Sequence, residues 1–275
     1  MELLVVFLKK QKSLWKFAFA KADFHNICIT TKNDHMQDDQ GLIIDWASMP
    51  TYNTVMCVAV GAALCSLAVI GKSMMQGKKM ETVGWSLNLG ALGLILFLTG
   101  LHMTLTWPLA KYFPFDNIVF GEPSLAFGVL LLVFSFYFWK KGTALEQSKN
   151  PLADLGAVGY QLRYFLYGMG LAMIAIGIAG VKYELFAAPP EEPISGQFAE
   201  YPLVEAIFIS GLWALTGLAS LLVPRVFKKF AAGHTSMGKT MKISYALVYG
   251  LGIVFLLFGA FNFFTHIGLI VNTMK

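Results

Sequence analysis

Charge is what this sequence has least of. Only 13% of its 275 residues are Asp, Glu, Lys or Arg, while 56% are hydrophobic, against roughly a quarter charged in a typical soluble domain. That balance excludes a disordered chain, a coiled coil and an ordinary water-soluble enzyme. Cysteine is scarcer still. Cys57 and Cys65 share one apolar block, about 12 Å apart along a helix, so no disulfide joins them, and Cys28 completes no framework. Catalytic signatures are missing as well: no apolar segment holds H-x-x-x-H, E-x-x-H or C-x-x-C, and no G-x-S-x-G elbow occurs. Gly90-Ala91-Leu92-Gly93 is not followed by the Lys-Ser/Thr pair of a phosphate loop. Net charge is +5 and the isoelectric point about 9.0. No basic stretch interleaved with aromatics is long enough for a nucleic-acid-binding domain, so nucleic acid is not an expected partner. The basic residues sit in short loops, where they suit orientation in a membrane and contact with anionic headgroups.

What the sequence does have is long apolar runs. Six stand out: 52–70, 83–107, 123–139, 164–181, 202–223 and 243–270. Each is long enough to cross a bilayer core as a helix, the third being the shortest, and none alternates as a barrel strand would. The expected fold is all-α, a polytopic bundle of six transmembrane helices. Gly90, Ala91, Gly93 and Gly100 in the second run, and Gly168, Gly170, Gly177 and Gly180 in the fourth, read as packing surfaces, because small residues let helix backbones approach.

Orientation follows from the loops. Segments 72–82, 140–163 and 225–242 carry twelve basic residues against three acidic, whereas 107–122, 182–201 and the C-terminal tail carry three against six. Lys/Arg bias places the first set in the cytoplasm and both ends of the six-helix region outside, in a cell membrane. Residues 1–50 read as an N-terminal extension and 51–275 as the transmembrane domain. The extension carries Lys9, Lys10, Lys12, Lys16, Lys21 and Lys32 on the side assigned as outer. It also lacks the apolar run that a secretory signal needs before Ala18-Phe19-Ala20. With Met36 and Met49 ahead of the first run, 1–35 is expected to be a non-native or dispensable extension.

Ionisable residues inside a membrane are costly and become candidates for function. The topology puts His102 in the outer half of the second helix. His266 comes near the outer end of the sixth, with Asn262 one turn below on the same face. Glu122 opens the third helix from outside, and Glu205, the one acid within a run, lies one turn into the fifth. Asp45 and Trp46 precede the first. Imidazoles and carboxylates from facing helices can hold a transition metal, and two histidines can ligate a haem. The same groups can carry protons or coordinate a solute. The outer loops WPLAKYFPFDNIVFGEP and VKYELFAAPPEEPISGQFAEYP are rich in proline and aromatics, which suits ordered loops at headgroup level.

The stretches GLHMTLTWPLAKYFPFDNIVFGEPSLAFG and ELFAAPPEEPISGQFAEYPLVEAIFISGLWALTGL resemble a prokaryotic family of multi-pass membrane proteins classed as domain of unknown function 981. The resemblance covers about residues 50–224 and the last helix. It implies a membrane protein from a prokaryote and no particular activity. The leading functional expectation is a haem or transition metal held at the outer leaflet by His102 and His266, assisted by Glu122 and Glu205, in a redox or electron-transfer role. A small-solute or ion transporter using the same residues is the alternative. A structural or assembly subunit, partnered by other membrane subunits or a second copy of the chain, is the third. Mass spectrometry of the expressed protein is expected to find its N-terminus at or beyond Met36; peptides from 1–35 would overturn the reading of that segment.

Overall fold

A computed structural model describes residues 42–49, 52–234 and 236–274. The expectations for 1–35, including Ala18-Phe19-Ala20 and Met36, lie outside the described residues. Seven helices organise the rest: α1 (Asn53–Met75), α2 (Thr82–Thr106), α3 (Glu122–Glu146), α4 (Pro151–Gln161), α5 (Arg163–Lys182), α6 (Pro202–Ala231) and α7 (Lys239–Thr273). All but α4 are long and apolar enough to cross a membrane, and no strand occurs among the described residues. The fold is the all-α bundle of six spanning helices that the apolar runs require. Large apolar side chains point away from the bundle, as Leu87, Leu94, Leu98 and Leu105 do along α2, which suits a surface solvated by lipid rather than water.

Two local features depart from the sequence reading. The segment expected to be a loop at 140–163 contains α4. Asn150 caps it, its side-chain oxygen accepting from the Ala153 amide at 3.1 Å, and Pro151 occupies the first turn, where its missing N–H costs nothing. The third span is also not the shortest. Helical structure starts at Pro114, passes through a π turn at Asn117–Gly121 and runs on to Glu146, 33 residues in all, while α5 has only 20. Pro123 has no N–H to give the helical ladder, and the π turn just before it is where the hydrogen-bond register slips.

The spanning helices associate as three close pairs, α1 with α7, α2 with α3, and α5 with α6. Glycine accounts for each pair. A Cβ on Gly61 would collide with the backbone of Leu256, one on Gly259 with that of Val58, and one on Gly252 with Cys65. Between α2 and α3, Gly100 lies against the Leu125 backbone and Gly128 against that of Phe97; between α5 and α6, Gly170 and Gly217 face each other. Hydrocarbon tails give helices no hydrophobic reason to associate, so such backbone approach is what holds them. The α2–α3 pair is further tied by Ser86 Oγ donating to Ser135 O at 2.9 Å and Ser135 Oγ donating to Ser86 O at 2.7 Å. At the loop end, Glu146 Oε1 accepts from the Thr82 amide at 3.0 Å and the Thr82 hydroxyl at 2.6 Å, satisfying an N-terminal donor of α2. Not every glycine named from sequence packs: nothing lies within 4 Å of a Cβ on Gly168.

Gly100→Leu is therefore expected to force α2 and α3 apart, at about 1–3 kcal/mol or more. Thermal unfolding in detergent should fall for this variant and stay unchanged for Gly168→Leu.

Candidate functional site

Because the pairs meet one another through larger side chains, the bundle surrounds a partly open cavity of about 1020 Å³ to which all six spanning helices contribute. Its wall follows α1 from Asn53 to Met75 and α7 from Met241 to Ile270, most of the length of the bundle. The middle is apolar, built from residues such as Leu64, Leu131, Leu212, Val248, Leu251 and Phe255. Polar groups collect at the end that the loop charges assign as outer: Tyr52, His102, Asp116, Glu192, Glu205, Asn262 and His266. At the opposite end the wall carries Lys72, whose ammonium lies 5.2 Å from the centre of the Tyr245 ring. Between these two ends no Asp, Glu, Lys, Arg or His among the described residues lines the cavity.

A cap of short segments holds the outer end. The strand-like entry at 42–49 is fixed by the Ile44 amide donating to Thr273 O at 3.2 Å and by Trp46 Nε1 donating to Thr273 Oγ1 at 3.1 Å. Asp45 caps the turn Trp46–Ser48 by accepting from the Ala47 amide and the Ser48 hydroxyl. The Ser48 hydrogen bond, the largest cause, holds the Asp45 carboxyl below its ordinary value. The loop between α5 and α6 is anchored at both flanks. Asn272 Nδ2 donates to Glu191 O at 2.7 Å, the Leu42 amide to Glu191 Oε1 at 2.8 Å, and the Ala188 amide to Glu205 Oε2 at 2.8 Å. Pro193 is pressed against Gly268 of α7. Phe113, Glu184 and Ile194 take left-handed backbone angles, φ 46°, 52° and 68°, in this cap. Non-glycine residues hold such angles only where surrounding contacts impose them.

The residues expected from sequence are distributed unequally. His102, Glu205 and His266 reach the wall of one cavity; Glu122 is exposed and does not. His266 Nε2 lies 3.6 Å from Glu192 Oε1, and the Glu192 side chain is only 10% exposed. His102 Nδ1 lies 3.4 Å from the Tyr52 hydroxyl, with the two rings edge to face at 5.6 Å. Glu205 is engaged with the Ala188 amide. Each candidate thus has its own neighbour. Among the described residues no three His, Cys, Asp or Glu side chains gather so that they could hold a metal ion.

Asp116 and Glu192 are the members of the polar end that sequence reasoning treated only as loop charges. They reach it because the turn before the π segment and the proline-bound cap carry them inward, and no periodic pattern announces either. A signal that was available is the spacing of Phe120, Phe127 and Phe134, seven residues apart and all on the cavity wall.

No curated protein and no solved structure matches the chain. A family model described as "Protein of unknown function (DUF981)" matches residues 49–268, from just before α1 into the last turns of α7. With both polar-end loops, most of the cavity wall and nearly all of the six-helix bundle inside that match, the chain belongs to the DUF981 family.

Proposed function

We propose that the protein is a multi-pass protein of a prokaryotic cell membrane that binds an elongated amphiphile inside its bundle, as a carrier of that molecule. The hydrocarbon part lies along the apolar middle and the polar end meets Glu205, His266 and Asn262 near the outer face. The observation that carries this reading is the polarity of one cavity: apolar along most of its length, polar at the outer end. Its volume, about 1020 Å³, stands at the upper end of the range for small-molecule sites, which are mostly apolar with a few convergent polar groups.

This is a form of the transporter expectation with the solute changed. A hydrated ion passing through would leave its last ionisable neighbour at one end and meet none before Lys72 at the other, a route that costs too much without water or charge along it. The outward position of the polar end rests on the loop charges, twelve basic against three acidic on the opposite side. The haem or metal reading keeps one favourable observation, that His102 and His266 line the same cavity. Glu122 has no part in either arrangement.

Protein purified in mild detergent and extracted with organic solvent should release one amphiphile enriched well above its share of the membrane lipids. Val248→Trp, which fills the apolar middle, should abolish that enrichment. Equal lipid composition in the two preparations would defeat the proposal. The same sample distinguishes the second reading: a Soret band or stoichiometric metal, lost in His102→Ala, would establish it instead.

A further inference from the structure

We infer that the ligand is a molecule already dissolved in the bilayer, and that it enters sideways through the seam between α3 and the α5–α6 pair rather than from water at either end. This rests on the proposed binding role of the cavity and adds the route and the phase from which the ligand comes.

The three seams between the close pairs are built differently. Across the α1–α2 seam, Asn88 Nδ2 donates to Ser66 Oγ at 2.9 Å, a polar tie between helices in apolar surroundings. The α6–α7 seam is filled by the apolar cluster of Leu212, Ala219 and Leu251, with Leu247, Val248 and Phe255 packed around it. The third seam, where α3 meets the α5–α6 pair, has apolar packing toward its inner end, where Phe134 and Phe138 of α3 share a cluster with Phe227 and Phe230 of α6, and no polar tie. Among the described residues no hydrogen bond crosses it, and no glycine of α3 lies against the backbone of α5 or α6.

Aromatic rings close it instead. Phe120 lies 6.0 Å from Trp213, and Phe134 stacks on Phe227 at 6.3 Å. Phe127 stands midway between them on the same face of the α3 span. Along the helix, Phe120 to Phe134 is about 21 Å, so the aromatic closure lies at the depth of the hydrocarbon core. The Phe127 ring, between those two contacts, can swing about χ1 and χ2 without any backbone separation, whereas opening any of the glycine-packed pairs means parting two backbones.

Both ends of the seam are fastened. On the inner side, α4 closes it, with Gly156 against the backbone of Ala231 and Gly159 against the Phe227 ring. On the outer side, the Phe186 ring of the cap packs on Phe120 at 6.1 Å. What is left between them is the stretch of seam around Phe127, crossed by no hydrogen bond and no glycine contact, beside the apolar middle of the cavity. A water-soluble molecule would have to pass the cap, whose hydrogen bonds and left-handed residues hold it in place.

The test uses the full chain in liposomes containing a photoreactive fatty-acyl probe, with cavity labelling read at Val248 and Leu251 by peptide mass spectrometry. Phe134→Cys/Phe227→Cys, made with Cys28, Cys57 and Cys65 replaced by alanine, is bridged by a short bismaleimide before the probe is added. Loss of cavity labelling on bridging is expected, with labelling retained before bridging. Phe208→Cys/Phe258→Cys, which bridges the α6–α7 seam where those rings lie 5.7 Å apart, should keep its labelling. Phe127→Ala, which widens that stretch of seam without a crosslink, should load several-fold faster. Undiminished labelling with the α3–α6 seam bridged would overturn the route alone. Absence of labelling in the unmodified protein would overturn the cavity reading and the route with it.

Discussion

Everything in this bundle depends on where backbone can touch backbone. In water, an apolar helix face is driven against another by the solvent; among lipid tails that drive is gone, and what remains is close packing and the occasional hydrogen bond. Glycines at Gly61, Gly252 and Gly259, at Gly93, Gly100 and Gly128, and at Gly170 and Gly217 concentrate that packing in three helix pairs. The residues between the pairs are larger, so the pairs stand off from one another. The cavity is the geometric result of tight contacts within pairs and loose ones between them.

The polar groups obey a second constraint. A carboxylate or imidazole is tolerated only near an interface or beside a partner, and the cavity's ionisable wall residues lie at its two ends. At the polar end the cap engages two of them, Glu205 through the Ala188 amide and His266 through Glu192, and holds Glu191 nearby through the Leu42 amide. Those bonds also tie residues 42–49 and the α5–α6 loop to the ends of α6 and α7. Polar chemistry and the folding of the cap are the same set of contacts, which explains why left-handed residues persist there.

The parts legible in the sequence were those set by length and scarcity. Six apolar runs of spanning length gave six spanning helices, and three of the rare ionisable residues, His102, Glu205 and His266, do line one cavity. The parts not legible were those set by register and by loops. Helix α4 has eleven residues with Gly156 and Gly159 among them, a composition that reads as a turn until α6 supplies the surface those glycines fit. The π turn at Asn117–Gly121 shifts the helical register of the residues before Glu122, and a shift of one residue moves a side chain about 100° around the axis. Helical spacing counted outward from Pro123 could not reveal the side on which Asp116 would emerge. Glu192 was hidden for a related reason, since only the path of the chain through the cap turns it toward the cavity.

The size of the cavity argues against treating it as a lapse in packing. A space of about 1020 Å³ left empty would forfeit dispersion contacts along its whole apolar wall. Water is a poor occupant of the middle, where leucine, valine and phenylalanine walls leave it few of the two to four polar partners it needs. Hydrocarbon is a good occupant, because it restores the dispersion contacts that a void forfeits. The surrounding membrane holds hydrocarbon at that depth, on the far side of a row of phenylalanine rings. On the proposed reading, the glycines that draw the helices into pairs also set the shape of the space the amphiphile would fill, so packing and binding follow from the same residues.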